Sequence, residues 1–477
     1  MKKILFICQV PEREANWILN YDMLYSKKKE LDVIIFSHLD EALLKREKKS
    51  KNKKNIYNYL KYSKSYQEKY ERISNEEIAL KKKELEKKYN IPFSFIEKAD
   101  RYIMNKTQVE IDRNMVILTE FLIDKVFESR EYIKIVGEMA STFNLICYFL
   151  CKKYGLEYLF FWHGRMKNKI AIDDLEGNRK GLKEKFNDLK ERDLTFEEKE
   201  ILKKYYEEIE YSITPIYEKL NRKIDNPYNW LRLYAKSKLI KLYYEILTYS
   251  KDKKYALLRP KKIRERLKDF IKILTLNLKR KRVDFDKVEK NEKYLLFPLH
   301  VQPEVTTLVF AQEYVDQIKT ALEIAKNLPN NYFLYVKEHP SMFKFRKLKE
   351  YEELKKNSKI KLISPEESIK NLILFSEGVI TLTGTAGYEA ILLNKPVYLL
   401  GKVFYQLYPN VYKVENLKEL SKFILFPKKE ISSQIKDAFI LANILSLKEG
   451  NYNNYLLDKD VTSDENAKKI AKIIYEG

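Results

Sequence analysis

Short apolar runs alternate with amphipathic stretches along most of this chain. Ile4-Leu5-Phe6-Ile7 and Val33-Ile34-Ile35-Phe36 read as β-strands with a helix between them. That is the spacing of a βαβ unit and the opening of a parallel sheet. Residues 40–90 change character. They are rich in Lys, Glu and Tyr, show no strand pattern, and read as a helical insertion. Regular alternation resumes near 91. Residues 132–136 form a short apolar strand that ends at Gly137-Glu138, residues 140–153 a helix, and residues 158–162 another strand. Residues 170–290 are strongly charged and helix-like. Within them Ile263, Leu267, Phe270, Ile271, Leu274 and Leu278 share one helical face, with Lys262, Arg266 and Lys268 opposite. This amphipathic helix over 261–282 either packs on a domain or lies on anionic lipid.

From 293 to 405 the rhythm is regular. Strands are expected at 294–298, 332–336, 360–363, 379–382 and 397–400, and helices at 310–327, 366–374 and from 387. This pattern predicts a second doubly wound sheet. Residues 464–476 read as a last helix with no partner assigned. The chain therefore divides into an N-terminal Rossmann-like domain over 1–170 (helical insertion about 40–90), a basic helical linker or insertion over 171–290, and a C-terminal Rossmann-like domain over 291–477. The fold class is α/β.

At 477 residues the chain exceeds one ordinary core, and its 45% hydrophobic and 13% aromatic content excludes a disordered polymer. It has 92 Lys and Arg against 69 Asp and Glu, a formal net charge of +23. The excess favours an anionic partner (nucleic acid, an anionic membrane surface or phosphorylated ligands), although solvated lysines account for much of it. Cys8, Cys147 and Cys151 make no even-numbered disulfide framework, which fits a reducing compartment. No zinc-finger spacing is present, so neither a metal nor a cofactor is expected. Residues 4–10 after Lys2-Lys3 are too short for a signal-peptide core, and no apolar run approaches the ~20 residues of a membrane span. The expected location is cytoplasmic, soluble or peripheral on the inner face of the membrane. Nothing resembles a helix-turn-helix or RNP signature, so nucleic acid is not an expected partner.

Doubly wound sheets bind ligands at the carboxyl ends of their strands. Three polar clusters stand at such ends: His300-Val301-Gln302-Pro303-Glu304, Lys337-Glu338-His339-Pro340 and Thr383-Gly384-Thr385-Ala386-Gly387. Of 11 glycines, Gly378, Gly384, Gly387 and Gly401 crowd into this region. Small residues let a phosphate approach the backbone, and the N–H groups of a following helix favour an anion there. Thr383 and Thr385 add hydroxyls, and Lys337 and His339 bring positive or donor groups to the same phosphate. The competing reading of each motif is an ordinary strand–helix turn capped by Thr or begun by Pro340. In the first domain Glu138 is the candidate carboxylate, acting as base or nucleophile, or else it merely caps the next helix. His163 is a second candidate base or a structural histidine. Arg165 is suited to bidentate binding of a carboxylate or phosphate. Gln9-Val10-Pro11 stands just after the first strand.

Lys337-Glu338-His339-Pro340 resembles the His-Pro element of CMP-sugar and CDP-polyol transferases. Thr383 to Ala390, followed by Asn394-Lys395-Pro396-Val397, resembles the donor-site signature of GT-B glycosyltransferases. The whole of 293–405 is similar to bacterial capsular polysaccharide biosynthesis proteins, the group that includes the Kdo transferases. The resemblance implies a GT-B-like fold and a transferase of surface-polysaccharide synthesis. Its partners would be a nucleotide-sugar donor (CMP-Kdo or similar) and a glycan or lipid-linked acceptor. It also implies that His339 and Thr383–Thr385 hold the donor phosphate, that Glu389 meets the ribose, that Gln302 and Glu304 lie near the donor sugar or the interdomain cleft, and that Gln9-Val10-Pro11 lines the acceptor side. A CDP-polyol phosphotransferase, a sugar-nucleotide 2-epimerase and a non-catalytic basic scaffold remain as alternatives. The chain shows no Asp-Ser-Gly-Gly-like turn, which counts against the epimerase.

Overall fold

The computed structural model describes residues 3–9, 11–36, 56–101, 103, 106–129, 131–139, 141–212, 283–289, 291–343, 346–426, 430–452 and 458–476. The amphipathic helix expected over 261–282 lies outside the described residues. The chain folds as two compact units, each built on a largely or wholly parallel sheet.

The first sheet contains β1 (Lys3–Ile7), β2 (Glu30–Ile35), β3 (Ile56–Asn58), β4 (Tyr132–Gly137), β5 (Glu157–His163) and β6 (Lys169–Ile172). Their order is β6-β5-β4-β1-β2-β3; all neighbours are parallel except β6, which runs antiparallel to β5. Nearly every residue of β1, β2 and β4 is buried, as expected of a sheet covered on both faces. The Thr142–Tyr154 helix is capped by Ser141, whose side chain accepts from Asn144 N, and is stopped by left-handed Gly155. The expectation that 40–90 carries no strand is corrected by β3. Its three residues are too few to show a period and are ordered by pairing with Val33, Ile34 and Ile35.

The second sheet is entirely parallel. It contains β7 (Tyr294–Pro298), β8 (Phe333–Lys337), β9 (Ile360–Ile363), β10 (Gly378–Thr381), β11 (Val397–Leu399) and β12 (Val411–Lys413), in the order β12-β11-β10-β7-β8-β9. Its apolar core runs through Leu295, Phe297, Leu334, Val336, Leu362, Ile380 and Tyr398. The helix expected over 310–327 is shorter and broken. A turn of helix at Val305–Leu308 and a 3-10 turn at Gln312–Tyr314 precede the Gln317–Lys326 helix. Asp316 sets that start by accepting from Lys319 N at 3.0 Å.

The expected domain limits need two corrections. Among the described residues, the first unit comprises those up to Ile172 and those from Leu447 onward. A two-residue strand, β13 (Lys448–Glu449), pairs antiparallel with β6, and the Asp464–Glu476 helix packs on the Pro11–Tyr25 helix. Residues 173–212, expected in a linker, belong to the second unit, where the Leu182–Lys190 helix packs on the Ser433–Ser446 helix. Long-range packing makes both assignments, and local pattern carries no trace of it. No helix among the described residues is long and apolar enough to cross a membrane.

Candidate functional site

In the second sheet the strand order reverses between β7 and β10, so the loops that leave these two strands are neighbours. His300 belongs to the first loop and Gly384 to the second. The backbone of His300 is clamped by buried Gln317: His300 N donates to Gln317 Oε1 at 2.6 Å, and Gln317 Nε2 donates to His300 O at 3.2 Å. The His300 ring then meets the β10 loop. Its Nε2 lies 3.4 Å from Thr381 Oγ1 and 3.4 Å from Thr383 N. Thr381 Oγ1 also accepts from Gly384 N at 3.0 Å.

Gly384 is the N-cap of the Thr385–Leu392 helix and brings no side-chain cap. The helix therefore presents a positive N-terminus with no carboxylate or hydroxyl from its N-cap residue. A Cβ at 384 would stand 2.9 Å from both His300 Nε2 and Thr381 Oγ1. One at 387 would stand 2.5 Å from the Tyr405 hydroxyl, which itself donates to Gly384 O at 2.6 Å. Both glycines are thus demanded by close approach. Behind the helix, Tyr388 meets a buried polar chain. Its hydroxyl accepts from Asn443 Nδ2 at 3.1 Å and pairs with Tyr205 at 3.0 Å. Arg179 donates to Asn443, pairs with Asp173 at 2.9 Å and stacks 3.9 Å from the Phe404 ring centroid. Residues 173–212 thereby brace the glycine turn from behind.

The β8 loop carries His339. Fully buried Glu338 fixes it, accepting from His339 N at 2.6 Å and from Tyr351 at 2.8 Å and forming a buried ion pair with Arg346. Burial first, then the charges of Lys337 and Arg346, lowers the His339 pKa from 6.5 to about 4. The ring is neutral at pH 7. Its Nδ1 accepts from Ser341 N at 3.2 Å, which puts the proton on Nε2. His339 therefore offers a neutral N–H donor, in place of the positive charge open to it at the sequence level. The unfolded chain takes the proton first, so stability falls as pH drops from about 6.5 through about 4. The complete fall is on the order of 3 kcal/mol. Urea midpoints measured across this range are expected to show that fall in the parent and to lose it in His339→Asn. An unchanged pH profile in the variant would reject the assignment.

Several expected ligand groups turn elsewhere. Lys337, buried at the end of β8, donates to Pro365 O at 3.0 Å. The Thr383 hydroxyl donates to Thr306 O at 3.1 Å. Gln302, in a cis peptide with Pro303, donates its carboxamide to Val315 O. Glu304 is the N-cap residue of the Val305–Leu308 helix, with Thr306 Oγ1 3.4 Å from its carboxylate. Thr385 is exposed at the first turn of its helix, and Glu389 is half-buried one turn on. His300, passed over for Gln302 and Glu304 in the same loop, is the side chain that reaches the glycine turn. Its place at the start of the loop after β7 was the available signal.

In the first unit the reversal falls between β1 and β4. Gln9, just past β1, donates to Ser141 Oγ at 3.0 Å. Half-buried Glu138 follows Gly137, where a Cβ would stand 2.4 Å from the Tyr158 hydroxyl. Tyr158 donates to Glu138 O at 2.8 Å. Tyr452 donates to Glu138 Oε1 at 2.7 Å, and its ring lies 5.5 Å from that of His163. Glu138 and His163 thus meet through a residue that sequence reading did not single out. Arg165 sits in the β5–β6 turn with a left-handed backbone, φ +58°. Among the described residues, no group of three or more His, Cys, Asp and Glu is placed to hold a metal ion.

Residues 226–416 match the model of the capsule polysaccharide biosynthesis protein family. No curated protein matches the chain by sequence. Among solved structures, the chain is similar to the β-Kdo 2,7 transferase KpsC of Thermosulfurimonas dismutans at 13% identity and TM-score 0.34, covering 74% of this chain and 88% of that one. The β-Kdo 2,4 transferase KpsC of the same organism matches at 12% identity and TM-score 0.32, over 68% and 83%. The UDP-GlcNAc 2-epimerase of Neisseria meningitidis matches at 13% identity and TM-score 0.23, over 93% and 100%.

Proposed function

We infer, from a chain whose residues 226–416 fall within the capsule polysaccharide biosynthesis protein family, that this protein is a glycosyltransferase. It moves a sugar from a nucleotide-activated donor, CMP-Kdo or similar, to a glycan or lipid-linked acceptor. The observation that carries this reading is the glycine turn. The helix N-terminus at Thr385 has no side-chain cap from Gly384, lies beside His300, and sits within the family-matched segment. A donor phosphate there is held by backbone N–H groups and the helix dipole, with Thr385 and the neutral His339 N–H as further donors. Lys337 contributes its field from behind and Glu389 meets the ribose. In the first unit Glu138 acts on the acceptor hydroxyl as base, or attacks the sugar as nucleophile. His163 and Arg165 serve the same side of the reaction. The acceptor is met at the inner face of the membrane, where the net charge of +23 favours an anionic surface.

Purified protein is expected to release CMP or UDP only when acceptor is added, and to mark the acceptor with the sugar. With acceptor in anionic vesicles, turnover should fall at high salt. Transfer of a polyol phosphate would instead indicate the CDP-polyol reaction, and isomerised donor without acceptor an epimerase. His339→Ala is expected to weaken nucleotide binding by about 1.5–3 kcal/mol. Unchanged affinity in a folded His339→Ala protein, read by calorimetry, rejects this donor site.

A further inference from the structure

The segment that follows Ser446 returns the chain to the first unit and is held there residue by residue. β13 pairs with β6. Gly450 N donates to Asn168 O at 2.9 Å, and a Cβ at 450 would stand 2.8 Å from Ile170 Cδ1. Buried Asn466, in the Asp464–Glu476 helix, clamps the next residue on both sides. Its Oδ1 accepts from Asn451 N at 2.6 Å, and its Nδ2 donates to Asn451 O at 2.9 Å. Asn451 Nδ2 donates in turn to Asp458 Oδ2 at 2.7 Å. Tyr452 comes immediately after this clamp. Its ring is buried against Trp17, Phe161 and His163, at centroid distances of 5.9, 6.1 and 5.5 Å. Its hydroxyl donates to Glu138 Oε1 at 2.7 Å.

We propose that Tyr452 is a positioning residue: its hydroxyl aims the Glu138 carboxylate, so the C-terminal segment completes the candidate site of the first unit. The inference rests on the catalytic reading of Glu138. A carboxylate at the end of a strand rotates about three side-chain bonds. A 2.7 Å hydrogen bond from a buried, packed ring fixes one oxygen and thereby directs the other. A hydrophobic plug would not require a hydroxyl, and a phenylalanine would fill the same space between Trp17, Phe161 and His163. The clamp on Asn451 has the same consequence, since it holds the backbone of the residue just before the ring rather than adding apolar burial.

The test uses the full chain and Tyr452→Phe, which retains the ring. Turnover is expected to fall roughly tenfold to a hundredfold, the worth of a hydrogen bond to a charged group, with donor affinity and the unfolding midpoint close to the parent's. The decisive measurement is the double mutant. In a Glu138→Gln background, Tyr452→Phe is expected to cost less than about twofold, because the group it aims is already gone. Equal losses in the two backgrounds would make Tyr452 a packing residue and overturn the proposal. If Glu138→Gln alone leaves turnover intact, both this proposal and the role of Glu138 fall. If Glu138→Gln abolishes turnover while Tyr452→Phe does not lower it, only this proposal falls.

Discussion

Glu138→Gln is expected to lower turnover by about 10²–10⁴-fold while nucleotide affinity stays within about twofold. The substitution keeps the shape of the side chain, and the carboxamide oxygen still accepts from Tyr452, so the fold of the loop is preserved. What is removed is the negative charge, which either role in glycosyl transfer needs. A base takes the proton of the acceptor hydroxyl, and a nucleophile forms the bond to the anomeric carbon. Neither task falls to a residue of the candidate donor phosphate site, so turnover is expected to separate from affinity. Steady-state kinetics paired with nucleotide calorimetry read the two quantities independently. Turnover within a few-fold of the parent would leave Glu138 as a structural residue at the end of β4.

The second large effect concerns stability. Arg346→Met is expected to destabilise the second unit by about 3–5 kcal/mol, because it leaves the Glu338 charge buried without its partner. Glu338 is fully buried, and among the described residues its ion pair is with Arg346. The hydrogen bonds from Tyr351 and from His339 N do not replace a full positive charge. Adding Glu338→Gln to Arg346→Met is expected to recover most of the loss, since the amide needs no counter-charge and still accepts from Tyr351. Urea unfolding of the parent and the two variants measures this. A loss below about 1 kcal/mol in Arg346→Met would mean that the pair is solvated in solution. His339 N is tied to the same carboxylate, so the single variant should also weaken nucleotide binding, coupling the stability of the β8 loop to the donor site.

Much of the candidate donor site was legible in the sequence because its parts are local. The alternation of apolar runs with helical periods placed strand ends near 298, 337 and 381, and the polar clusters that follow them are visible as written. The family expected from Lys337-Glu338-His339-Pro340 and Thr383 to Val397 is the one whose model matches residues 226–416. Within those clusters, however, residue type alone did not tell which groups face a ligand. Lys337 and Thr383 read as phosphate donors, yet each spends its polar head on a backbone carbonyl, Lys337 on Pro365 O and Thr383 on Thr306 O. His339 read as a possible cation and is neutral, because burial and the two cations beside it penalise the charged ring.

The α/β class, the two sheets and the glycine turn can be read from local sequence, because hydrophobic period and turn chemistry act over a few neighbouring residues. Which of these pieces meet depends on long-range packing. The order of the second sheet sets the β7 and β10 loops side by side and so brings His300 to Gly384. The edge strand β3 exists only through its pairing with β2. Tyr452 reaches Glu138 across 314 positions of chain, after a strand pair and an asparagine clamp that carry no local signal. Contacts at that separation are selected by the burial and hydrogen bonding of the whole unit, which no window of sequence contains.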